Sequence, residues 1–80
     1  MHQRLESEDV TRERLARIGE HIQRRLAGRV RDFRLSLREQ AVVLRGSAQS
    51  QHARQLAQQA VMEAVSLPIR ANEIEVYRVG

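Results

Sequence analysis

No cysteine, lysine or tryptophan occurs in this 80-residue chain, and it holds one proline, one phenylalanine and one tyrosine. Without cysteine there is no disulfide and no thiolate metal site. With so few aromatics, the platform on which sheet-type nucleic-acid readers stack bases is missing. No apolar run approaches the ~20 residues that cross a bilayer. The first ten residues (MHQRLESEDV) lack the apolar core of a signal peptide. As encoded, the chain is therefore expected to be soluble and cytoplasmic; it would be periplasmic or envelope-associated if cut from a longer precursor.

The absence of lysine makes every one of the fourteen basic residues an arginine, for a net charge of +4. Arginine is a planar, permanently charged fork suited to phosphate and carboxylate. The arginines are spread from Arg4 to Arg78, as a base-composition bias also produces. A mild excess permits an anionic partner without requiring one.

Eighty residues make one small domain. Residues 1–7 are polar and are expected to form a flexible N-terminus, with 8–80 as the domain. Val10, Leu15, Ile18, Ile22 and Leu26 read as the apolar stripe of a helix over about 8–27. Ser7 is the candidate N-cap and Gly28 the candidate stop. Phe33, Leu35 and Leu37 alternate with Arg34, Ser36 and Arg38, which predicts a strand over about 30–38. Glu39 and Gln40 form the turn. A second strand over 41–46 turns Val42 and Leu44 inward and Val43 and Arg45 outward. Gly46 reads as a conformation or close approach that only glycine permits; an anion cradle formed with Ser47 is the alternative. Ser50 caps a second helix over about 50–65, whose stripe is Ala53, Leu56, Ala57, Ala60, Val61 and Ala64. After Pro68, a strand over about 70–78 turns Ile74 and Val76 inward and Glu73, Glu75 and Tyr77 outward. The fold class is α+β: a two-layer αββαβ module with a three-stranded mixed sheet and both helices on its one apolar face. The last strand, reached through a crossover helix, is expected parallel to the second.

Leu35 and Leu37, then Val42, Leu44 and Gly46, then Ser50, Ala53, Ala57 and Val61, then Asn72, Ile74 and Val76 carry a family pattern over residues 12–77. This arrangement resembles the BON domain, a bacterial module of osmotically inducible, nodulation and secretin-associated proteins. The resemblance implies a non-catalytic interaction module that attaches to anionic phospholipid surfaces or to a protein partner. Two departures stand out. Gln40 replaces the family's turn glycine. Ser66-Leu67-Pro68-Ile69 precedes the last strand and sets Arg70 at a position the family makes apolar and inward, so the start of that strand is expected to be bulged or displaced.

Three surfaces are candidate contacts. Arg14, Arg17, His21 and Arg24 recur beside the apolar row of the first helix, with Arg25 next to them. This row is the candidate for anion or membrane contact. Its bland reading is a solvated flank with Glu13–Arg17 and Glu20–Arg24 ion pairs. The open sheet face offers Arg34, Val43, Arg45 and Tyr77 to a protein partner, or else cross-strand Arg–Glu pairs. The second helix has an uncharged polar face, including Gln55 and Gln59, that tolerates burial against a partner. His2, His21 and His52 have no metal-binding spacing. No enzyme activity and no cofactor are expected. A small basic nucleic-acid-binding domain and a self-associating structural domain are the alternative functions.

Overall fold

The computed structural model describes residues 3–77, with side-chain surroundings from residue 8 onward. In chain order it contains helix α1 (Gln3–Leu26), a 3-10 turn (Ala27–Arg29), strands β1 (Val30–Arg38) and β2 (Ala41–Ala48), helix α2 (Gln51–Ala64), and strands β3 (Ile69–Asn72) and β4 (Glu75–Val76). The fold is α+β, with a mixed sheet in the order β1-β2-β3 and β4 also on β2. β1 and β2 are antiparallel, whereas β3 and β4 run parallel to β2, as a crossover through α2 requires.

Both helices pack on the sheet face that carries Val30, Phe33, Val42, Leu44 and Ala48. α1 contributes Leu15, Ile22 and Leu26 to this core; α2 contributes Ala53, Ala57 and Val61. The Ser50 cap forms as expected, its Oγ accepting from the Ala53 N–H at 3.0 Å.

Several expectations need correction. α1 begins at Gln3, so Ser7 lies within the helix and does not cap it. The run Gln3-Arg4-Leu5-Glu6 consists of strong helix formers and extends the first turn backward. Val10 is not part of the apolar stripe and is 52% exposed. It precedes Leu15 by five residues, which places it about 140° around the helix from that residue. The helix stops at Leu26, and the left-handed residue after it is Ala27 (φ 51°) rather than Gly28. His2 lies outside the described residues.

The last strand is not continuous. Ile69 and Ala71 pair with the consecutive residues Val42 and Val43, so Arg70 is the extra residue of a bulge. Arg70 is turned outward and meets Glu39 at 3.4 Å. The strand then breaks because the Asn72 side chain accepts the Ile74 N–H at 3.1 Å, a local bond that competes with the ladder. Ile74 is buried as expected; Val76 shares the inward face of its partner Ala48 but, after the break, is 39% exposed.

Glu39 and Gln40 both have positive φ, 51° and 64°, as a two-residue type I′ hairpin turn demands. Non-glycine residues pay a steric cost in this region of about 1 kcal/mol each. Gln40→Gly is therefore expected to stabilise the domain by about 1 kcal/mol, raising the melting temperature by about 4–8 °C. A thermal melt followed by circular dichroism checks this; an unchanged or lower midpoint would contradict the turn assignment.

Candidate functional site

Three surfaces come out of this fold, and each is set by a different part of the sequence. The first is the flank of α1. Leu15, Gly19, Ile22 and Leu26 face the sheet, which fixes Arg14, Arg17, His21, Arg24 and Arg25 on the side toward α2 and solvent. All five are exposed. Arg14 lines a cleft with Ile18 of α1, Ala64 at the end of α2 and Leu67 beyond it. Arg25 lines the cleft at the other end with Arg29, Leu56, Gln59 and Glu63. The expected Glu13–Arg17 and Glu20–Arg24 pairs do not close: among the described residues the ion pairs are Arg45–Glu73 and Arg70–Glu39. An exposed helical pair is worth only a few tenths of a kcal/mol, which the entropy of fixing two long side chains offsets.

The second surface is the open sheet face. Arg34 and Arg45 are direct cross-strand partners, a like-charge juxtaposition. Arg45 turns away, its Nε donating to Glu73 Oε1 at 3.1 Å. This is the anticipated cross-strand Arg–Glu pair, and it leaves Arg34 exposed with no ion pair among the described residues. Tyr77 is half-buried, with the Arg31 guanidinium 5.8 Å from its ring centroid. Val43 does not offer the anticipated apolar contact: it points to this face but is 1% exposed. It occupies the central strand between Ser36 and Ala71, with Arg45 two residues along the same face. A position flanked on every side leaves no surface for a partner.

The third surface is α2 beside the sheet edge. Gln55 and Gln59 are exposed there as expected. The groove they border also holds Arg54, Gln58, Met62 and Asn72. Arg54 Nη2 donates to the Asn72 carbonyl at 2.7 Å, and Asn72 Nδ2 donates to Gln58 Oε1 at 3.0 Å. This network ties α2 to the break between β3 and β4. The sequence reading missed it because it joins residues up to 18 apart with no local pattern.

It also missed Gln23. β1 sets Asp32 and Phe33 against Gly46 alone, a bulge with Asp32 at φ 54°. The bulge frees backbone groups that β2 does not bond, and Gln23 of α1 takes them. Its Oε1 accepts the Phe33 N–H at 2.7 Å and its Nε2 donates to the Val30 carbonyl at 2.6 Å. A signal was present: Val30 and Phe33 are three apart, out of phase with the alternation that Leu35 and Leu37 continue. Gln23→Leu removes both bonds and is expected to cost about 2 kcal/mol. Urea unfolding measures it; a loss below experimental error would show that water replaces the amide.

The described residues contain no group of His, Asp and Glu that could hold a metal ion. No helix among them is long and apolar enough to cross a membrane. The architecture defines a small two-layer α+β module with a basic helical flank and an open sheet. Comparisons with protein-family models, curated proteins and solved structures find no significant match.

Proposed function

We propose that this chain is a non-catalytic attachment module of the BON type that holds to an anionic phospholipid surface through the arginine row of α1. One observation carries the reading: Arg14, Arg17, Arg24 and Arg25 share a flank, are all exposed, and close no ion pair among the described residues, although Glu13 and Glu20 are spaced to neutralise two of them. Leu15, Ile22 and Leu26 are spent on the core, so this helix has no apolar face to insert. Attachment is then electrostatic and superficial, and must weaken as salt screens it.

Nucleic acid is the competing anionic ligand. It is disfavoured because Phe33 is in the core and Tyr77 is half-buried under Arg31, which leaves no stacking platform among the described residues. Co-sedimentation with anionic and neutral vesicles tests the proposal. Binding to anionic vesicles alone, lost between low and moderate salt, is the expected result. Equal binding to both, or to neither, would overturn it.

A further inference from the structure

The surface that the lipid reading does not use is the groove between α2 and β3. β3 is the terminal strand of the sheet path, so its outer edge is paired to no other strand among the described residues, with the Asn72 carbonyl already accepting from Arg54. Beside that edge, α2 presents Gln58 and Met62 over Ile69 and Asn72, in two adjoining cavities of about 470 and 460 Å³. Their walls differ in chemistry. The end near the start of β3 is apolar, formed by Met62, Val65, Leu67, Pro68 and Ile69. Met62 is 63% exposed there, with no core role. The end near Asn72 is polar and carries Arg54.

An unpaired strand edge flanked by a helix is the geometry of β-strand addition, in which main-chain bonds give affinity and side-chain pockets give selectivity. The edge itself selects the occupant. Arg70 bulges out of β3, so a second copy added antiparallel along this four-residue strand would bring the two Arg70 side chains close together, a like-charge approach that disfavours self-association. No carboxylate lines either cavity. Arg54 spends Nη2 on the Asn72 carbonyl and its Nε is buried, so the donor capacity it keeps at the polar end is that of Nη1.

We infer that the α2–β3 groove binds an extended acidic peptide of another protein. The peptide pairs with the β3 edge, seats an apolar side chain against Met62 and Ile69, and places a carboxylate at Arg54. Ile69 and Asn72 sit opposite Val42 and Leu44, two residues apart on β2 because the bulge takes up the extra residue, which spans about 7 Å of strand. The apolar and acidic positions therefore lie two residues apart, on the side of the peptide facing α2. This surface is separate from the α1 flank, so the inference stands whether or not vesicles bind.

The test is to pan phage-displayed random linear peptides on the full chain and synthesise the enriched sequence. Enrichment of an apolar and an acidic residue at that spacing is expected. Titration of the synthetic peptide should shift amide resonances of Ile69–Asn72 and of Gln58 and Met62. Replacing its carboxylate by the amide, or Met62→Glu in the protein, should each weaken binding by about tenfold or more. Met62 is exposed, so that variant keeps the fold even if Arg54→Gln does not. No enrichment, shifts confined to β1, unchanged binding to Met62→Glu, or concentration-dependent shifts of β3 without peptide would each overturn the inference, the last in favour of a second copy.

Discussion

Replacing Gly46 by alanine is expected to cost about 3 kcal/mol or more and to lower the melting temperature by at least ~10 °C. Two independent effects add. Gly46 has φ +151°, a conformation that side-chain-bearing residues rarely adopt. A Cβ there would also stand 3.0 Å from the Arg31 carbonyl oxygen and 3.2 Å from the Phe33 Cα. Both are backbone atoms of the β1 bulge, which cannot swing aside as a flexible side chain can. Relief requires opening the bulge, which would pull Phe33 out of the core and away from Gln23. A domain of this size has a total stability of only about 4–12 kcal/mol, so the variant should be partly unfolded in mild denaturant. Equilibrium urea unfolding checks it. A loss under about 1 kcal/mol would mean that β1 gives way at little cost.

Reversing Arg14, Arg17 and Arg24 to glutamate is expected to reduce binding to anionic vesicles by about a hundredfold or more. Each basic residue at an anionic surface contributes about 1 kcal/mol, and three lost contributions amount to about two powers of ten. The new carboxylates add repulsion. The fold should survive, because all three side chains are exposed and leave no ion pair broken among the described residues. Arg24 sits in the last turn of α1, where an acid opposes the helix dipole at a cost of about 0.3–1 kcal/mol. Circular dichroism should therefore show native helix with a slightly lower midpoint. A folded variant that binds as well as the wild type would remove the α1 row from the mechanism.

The vesicle assignment and the peptide groove differ in how far the sequence announced them. The α1 arginines recur at helical spacing, so the row is legible in the sequence alone. The groove is not. Gln58 and Gln59 look alike in sequence, yet Gln58 bonds Asn72 over the β3 edge while Gln59 borders that groove without a bond to β3 and also lines the cleft toward α1. One step of about 100° around α2 decides which of the two is tied to the strand. Val43 shows the opposite failure. Its outward direction followed correctly from alternation, but its burial depended on Ser36 and Ala71, which only strand order brings beside it.

What the sequence determined by itself was local: the hairpin and its turn at Glu39–Gln40, the Ser50 cap, the glycine demanded at position 46, and the phase of the apolar stripes. These follow from steric rules and periodicities acting over a few residues, and so are written in a few residues. The tertiary structure alone decided which polar groups serve the fold and which stay exposed. Gln23 is drawn to the bulge of β1, Arg54 to the carbonyl of Asn72 and Arg45 to Glu73, while Arg14, Arg17, Arg24 and Arg25 close no ion pair among the described residues. The reason is that a backbone group left open by a bulge or a strand break must find a partner. Which side chain reaches it depends on how elements distant in sequence are brought together.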